Sequence, residues 1–281
     1  MRAVNRDMIA LHDRVLEFEG RHASEAELLL FHSPEYLQRV REWSEAAAAE
    51  GKPVEIQPGI VVSDASWDAA RAASGAVLSA IDSVLEGRAA NAFCPVRPPG
   101  SRVLPDAAGG FGLLNSVAVA ARYLRSRHNI DSIAIVEWSA APDSVLASIM
   151  KHDLGVHVGS VGHAAVEAGG GGDSNRRLLG VGPSGGDFCT AVNEVVEELE
   201  AVMSPGVILL AAGMDVLEDQ GSGPGVAPPD VYDATRALLD WAEDTCGGRL
   251  VSVLEGGYDT SSLGAGVVQH LRALAGLERA P

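Results

Sequence analysis

The sequence predicts a three-layer α/β fold with a mainly parallel central sheet, and three observations carry that expectation. Short, almost wholly apolar runs recur from Phe111 onward: SIAIVEW, GVHVGS, GVILLAAG and RLVSVLEGG. Segments with helical spacing alternate with them: SVAVAARYLRSRH, SVLASIMK, FCTAVNEVVEELEAVM and DVYDATRALLDWAEDT. Continuous apolar runs without polar alternation suit strands buried on both faces, the arrangement of a parallel sheet covered by helices. Composition does not change along the chain, which predicts one domain over residues 1–281, a helical front part (1–90) packed on an α/β core (91–281).

In chain order, residues 5 to about 50 read as helical. Apolar positions recur at three and four (Met8, Leu11, Val15, Phe18; Leu28, Phe31; Tyr36, Leu37, Val40), with breaks near Gly20 and at Ser33-Pro34. There Ser33 is a cap and Pro34 a first-turn residue, and Gly51 and Pro53 close the segment. A second helix starts at Asp64 to Trp67 and keeps its period through Ala69, Ala72, Ala76, Ile81, Val84 and Leu85 to Gly87. The loop CPVRPPGSRVLPDAAGGF follows, then the alternating region. Ligands of such sheets bind at the carboxyl ends of strands, which here are EWSAAPD, AAGMDVLED and LEGGYD.

Composition narrows the function. The chain has 281 residues, 47% of them hydrophobic, and a formal net charge of −17, enough apolar material for a large core and the wrong sign for nucleic acid or anionic membrane partners. No run approaches the roughly 18 to 20 apolar residues of a membrane span, and the charged N-terminus lacks a signal peptide's apolar block. A soluble, cytoplasmic protein is expected. Cys94, Cys189 and Cys246 are too scattered for a disulfide framework or a cysteine zinc site, and are expected to pack as small apolar residues. Arginine outnumbers lysine, with only Lys52 and Lys151 present, and the abundance of alanine and glycine fits a GC-rich bacterial gene.

Several segments together resemble one family. FHSPEYLQRV, SDASWDAARAASGAVLSAIDSVL, NAFCPVRPPG, GGFGLLNSVAVAARYL, SIAIVEW, GVILLAAGMD and RLVSVLEGGYD follow, in order and at similar spacing, the pattern of the histone deacetylase superfamily. The likeness is greatest to its bacterial class II-like and acetylpolyamine amidohydrolase members. It covers most of the chain from residue 31, and it implies the arginase-like sandwich. It also implies roles for retained residues: Asp215 as the last of three zinc ligands, Tyr258 as the donor to a substrate carbonyl, and Gly110 and Phe111 as channel lining.

The chain departs from that pattern at its centre. Ser101 and Arg102 stand where RPPG is normally followed by two catalytic histidines. Ser139 and Ala141 stand at the positions of the other two zinc ligands, Glu137 at an acidic position of the same motif, and Ser144 where a relay aspartate is expected. One carboxylate does not hold zinc at useful affinity, so zinc and every other cofactor are expected to be absent. The first strand and loop of the family pattern are also expected to be missing ahead of Asn5, leaving the mouth more open or completed by another subunit.

The remnant pocket is then expected to comprise Tyr258, Asp215 and Arg102, lined by Ser101, Gly110, Phe111, Glu137, Ser139, Ala141 and Gly257. Arg102 is expected within salt-bridge or single-water reach of Asp215, supplying a protein cation where the metal was. Ser101 and Ser139 lack a GxSxG context and a nearby histidine, which argues against a serine nucleophile. His152, His157 and His163 lack tight ligand spacing, and GGGGD at 169–173 lacks the lysine of a phosphate loop. The primary expectation is a deacetylase-fold protein that has lost zinc-dependent hydrolysis and keeps a binding, assembly or regulatory role. Its partner would be a small molecule in the pocket, another protein or a second copy of itself. The alternatives are a metal-free enzyme acting on a carbonyl compound, and an amide hydrolase with unorthodox metal ligands.

Overall fold

The computed structural model describes Met8, Leu11 and residues 13–140, 145–162, 176–180, 185–218 and 225–280. Its helices are α1 (Glu25–Leu28), α2 (Pro34–Glu50), α3 (Ser66–Leu85), α4 (Ser116–His128), α5 (Val145–Met150), α6 (Gly185–Glu200), α7 (Pro228–Cys246) and α8 (Thr260–Leu274). Its strands are β1 (Val54–Gln57), β2 (Ile60–Val62), β3 (Ala92–Cys94), β4 (Ile133–Ser139), β5 (Val156–Gly162), β6 (Arg176–Gly180), β7 (Val207–Ala212) and β8 (Leu250–Leu254). Among the described residues no helix is long and apolar enough to cross a membrane.

The main sheet has the order β3-β8-β7-β4-β5-β6, and every pairing in it is parallel. Period-two alternation sends the strand residues into two separate cores. Ile133 and Ile135 of β4, with Val207 and Leu209 of β7, join a cluster built from α2, α3, α4 and α5. Ala134, Val136 and Trp138, with Ile208 and Leu210, join the opposite cluster under α6, α7 and α8. Both faces are buried, which is why these strands read as unbroken apolar runs. The chain forms β4, β5 and β6 outward in one direction, then returns to lay β7 on the other side of β4. That reversal is a topological switch point, and a crevice opens there at the carboxyl ends of the strands.

Helix boundaries follow their caps. Ser33 Oγ accepts the Tyr36 amide and Pro34 fills the first turn of α2, which ends on left-handed Gly51. Asn115 caps α4, and the Asp230 carboxylate takes the Ala227 amide at the start of α7.

The helical reading of the front part needs correction. Residues 13–24 are irregular, although Val15 and Phe18 continue a helical spacing. Tertiary contact overrides the local pattern: the segment runs against α3, where Ala23 and Arg71 exchange hydrogen bonds and a Cβ on Gly75 would sit 1.9 Å from Arg21 O. The antiparallel hairpin of β1 and β2, the short edge strand β3 and helix α8 are further elements that the periodicity did not show.

Candidate functional site

Three strand ends and one loop build the crevice. β4 delivers Glu137 and Ser139, β7 runs into a 3-10 turn that carries Asp215, and β8 runs into Glu255-Gly256-Gly257-Tyr258. Backbone bonds lock these ends together: Gly213 N donates to Trp138 O at 2.9 Å, Met214 N to Gly256 O at 2.9 Å and Glu255 N to Ala212 O at 3.0 Å. The fourth wall is the loop after β3, with Pro99, Ser101, Arg102, Gly110 and Phe111. The cavity is about 190 Å3 and opens to solvent.

Asn115 fixes that loop in place. Its Oδ1 accepts the Ala118 amide as the α4 cap, while its Nδ2 donates to Ser101 O at 3.3 Å and Val103 O at 2.9 Å. The Asn115 amide itself donates to His32 Nε2 at 2.9 Å, so the His32 proton sits on Nδ1, which faces Pro105 O at 3.3 Å. Burial holds His32 down at about 4, consistent with an acceptor ring nitrogen.

The centre of the cavity is a carboxylate pair. Ser139 Oγ donates to Asp215 Oδ2 at 2.9 Å. Glu255 Oε2 accepts two loop amides, Gly100 N at 2.7 Å and Ser101 N at 3.0 Å. Asp215 Oδ1 and Glu255 Oε1 are buried and accept no hydrogen bond. Burial raises the Asp215 pKa, opposed by the Ser139 hydroxyl, the Ala140 backbone and the positive charge of Arg102. Burial, reinforced by the charge of Asp215, pushes Glu255 up to about 7 against the two loop amides. The Asp215 carboxylate is seated between two glycines: a Cβ on Gly213 would lie 2.5 Å from Oδ1, and one on Gly256 2.6 Å from Cγ.

Phe111 and Tyr258 frame the mouth, edge to face with centroids 5.6 Å apart, and both are largely exposed. Desolvation and the nearby Asp215 charge raise the Tyr258 pKa. Phe111 holds a positive φ of 65°, directly after Gly110 at 55°. Arg102 packs along Gly110, where an added Cβ would be 2.7 Å from its own Cβ and Cδ.

The predicted residues Ser101, Arg102, Gly110, Phe111, Glu137, Ser139, Asp215 and Tyr258 therefore line one cavity. Gly257 does not: an added Cβ there would meet Leu263 and Met214 of the core, and its neighbour Gly256 takes the lining position. Ala141, Ser144, His163 and the 169–173 run lie outside the described residues. His152 and His157 are not part of the cavity wall. Arg102 acts on Asp215 through its charge, and the Ser139 hydroxyl supplies a direct hydrogen bond.

Sequence reasoning missed Glu255. The signal for it is a lone acid directly after the apolar strand in LEGGYD. A serine–histidine pair also occurs elsewhere: Ser252 Oγ and His270 Nε2 are 2.7 Å apart, with Thr235 Oγ1 2.7 Å from Nδ1. All three side chains are fully buried, so this network braces β8, α7 and α8 and meets no substrate.

Comparison with known proteins places this geometry. Residues 1–274 match the family model described as histone deacetylase domain. The polyamine deacetylase HDAC10 of Homo sapiens is 30% identical over 95% of this chain and 42% of its own length. The histone deacetylase-like amidohydrolase of Pseudomonas aeruginosa is 30% identical over 92% of this chain and 71% of its own. The chain thus spans about two fifths of the human relative's length. Among solved structures, the HD domain of HDA15 superposes with a TM-score of 0.86 at 25% identity, over 98% of this chain and 83% of that one. With the parallel sheet, the switch-point cavity and the RPPG, GMD and GGYD segments that line it, the chain belongs to the histone deacetylase family.

Proposed function

We propose that this chain is a deacetylase-fold protein that does not run the zinc hydrolase reaction and uses the cavity at its strand ends to bind a small molecule. One observation carries the reading: Asp215 accepts a hydrogen bond from the Ser139 hydroxyl, where the family resemblance calls for a second metal-binding carboxylate. A neutral hydroxyl that spends its proton on the remaining ligand is a poor zinc donor, and Ala141 has no donor atom in its side chain. Among the described residues no three His, Cys, Asp or Glu side chains converge to hold a metal. The residues present do not fit zinc. Nor do imidazoles line the cavity among the described residues, which removes the usual proton shuttle of neutral pH.

The test is elemental analysis of protein purified without added metal, paired with turnover of acetyl-lysine peptides and acetylpolyamines. No stoichiometric zinc and no turnover above background are expected. One equivalent of tightly held zinc with chelator-sensitive deacetylation refutes the proposal.

A second reading, a metal-free enzyme, is favoured by one arrangement. Glu255, Tyr258 and Arg102 line the same cavity. An acid, a phenol and a guanidinium around one space are the parts needed to move a proton at a polarised carbonyl. Chelator-insensitive turnover of a carbonyl substrate, lost in Glu255→Gln, distinguishes it from binding alone.

A further inference from the structure

A larger groove, of about 760 Å3, runs along the edge of the main sheet and shares no lining residue with the strand-end cavity. Among the described residues β3 pairs with β8 alone, which leaves its other edge without a partner strand. Its apolar side chains are covered only in part. Ala92 and Phe93 are half-buried, whereas every residue of β4, β7 and β8 is buried. Small side chains line the groove where α3 and β3 meet, among them Ala76, Ala80 and Ala92. The 14–18 segment borders it as a rib whose Leu16 is 77% exposed and whose Phe18 is 47% exposed. Gly20 seats that rib against α3, since a Cβ there would lie 2.5 Å from Ala76 Cα.

We propose that this face is the interface between two copies of this chain related by a two-fold axis, with Leu16 and Phe18 of each copy seated in the groove of the other along β3. A two-fold interface needs a surface that fits itself. A bulky apolar pair beside a groove lined by alanines is such a surface: what protrudes from one copy fills what is hollow in the other. A small apolar molecule in the groove would leave Leu16 and Phe18 facing water on its rim, whereas a second copy covers them.

Charge selects the same face and the same partner. The chain carries −17 overall, yet the groove is lined by one basic and one acidic side chain, Arg14 and Glu17. An equally acidic copy approaches where charge is locally balanced. With the two ribs antiparallel about the axis, Arg14 of each copy comes beside Glu17 of the other, two pairs of opposite sign that set the register.

The test is sedimentation velocity with light scattering on the full chain, from low micromolar to several hundred micromolar, and amide hydrogen exchange at both ends of that range. A reversible equilibrium that stops at twice the chain mass of 29.1 kDa is expected, with slower exchange at residues 16–18 and 92–94 in the dimer. Leu16→Glu and Phe18→Glu change side chains exposed in the single chain. Each should weaken dimerisation roughly hundredfold or more, because a two-fold axis counts every substitution twice. Arg14→Glu and Glu17→Arg should each weaken self-association. An equimolar mixture of those two variants should recover it as a heterodimer, and the double variant should dimerise like the parent. A monomer at every concentration overturns the proposal, whether the groove is then covered by the same chain, by a different protein or by an apolar compound. So does a dimer that Phe18→Glu leaves intact, a mass that keeps rising beyond the dimer, or a mixture that associates no better than either single variant. The parent measurement decides the matter even where a variant fails to fold.

Discussion

Replacing Glu255 by glutamine should make the protein relatively more stable as pH rises, and the size of the effect follows from its surroundings. The carboxyl is buried in the folded state, its pKa lifted from an ordinary 4.5 to about 7. Below about pH 4.5 the group is protonated whether the chain is folded or not, and it makes no difference. Between 4.5 and 7 the unfolded chain has released the proton while the folded chain still holds it, so stability falls as pH rises through this window. Above 7 both states are ionised and the full penalty stands. A difference of about 2.5 in pKa corresponds to about 3 kcal/mol. Glutamine cannot ionise and retains one oxygen for the Gly100 and Ser101 amides, so it avoids this dependence. Urea unfolding of both proteins at half-unit steps from pH 4.5 to 8 measures it. The stability of Glu255→Gln minus that of the parent should climb by about 3 kcal/mol across the series. The subtraction removes the contributions of all other titrating groups. Parallel curves would refute the reasoning and mean that Glu255 ionises freely in the folded protein.

Two further outcomes follow from the buried polar groups. Asn115→Ala removes a helix cap and two donors to loop carbonyls, and should destabilise the protein by about 3 kcal/mol in urea, with faster amide hydrogen exchange at residues 100–104 than in a core control such as Val84→Ala. His270 and His32 are held neutral, at about 3 and about 4 against an ordinary 6.5, so between those values and 6.5 the unfolded chain binds the protons first. Stability should therefore decline as pH falls below 6.5, and His270→Gln should flatten that decline in thermal scans from pH 6.5 to 4.

The parts of the fold legible in the sequence are those where local pattern and tertiary environment agree. β4 and β7 are buried on both faces and contain only apolar or small residues along most of their length, so the runs IAIV and VILLAA announced them. α2 carries its own stop and start signals in Ser33-Pro34 and Gly51. Elsewhere the determinant was not local. Residues 13–24 have an apolar spacing that suits a helix, yet they are spread along α3 because Gly20 and Gly75 allow the backbones to touch. β3 is three residues long and borrows its conformation from β8. α8 includes Gly264 and Gly266, which weaken its propensity, and is held by the burial of Leu263, Val267 and Leu271 at helical spacing.

The site divides in the same way. Asp215, Ser139, Arg102 and Tyr258 could be assembled from motif order, because each motif ends a strand of a parallel sheet and parallel strands bring their carboxyl ends together. Glu255 could not be given a role from order alone. What distinguishes it is that the Gly100 and Ser101 amides, some 155 residues away in sequence, hold one of its oxygens and leave the other without a partner beside Asp215. The same loop is tied to α4 by Asn115, and Asn115 to His32. A chain of neutral hydrogen bonds from the helical layer thus fixes the position of a carboxyl on the far side of the crevice. Selection for packing alone would be met by an apolar residue at 255, since replacing a buried charge by a well-packed apolar group is often neutral or stabilising. A buried acid supported by such a chain is better accounted for by the loop it positions, since its Oε2 ties the Gly100 and Ser101 amides to the end of β8 and so fixes the wall of the crevice that carries Ser101 and Arg102.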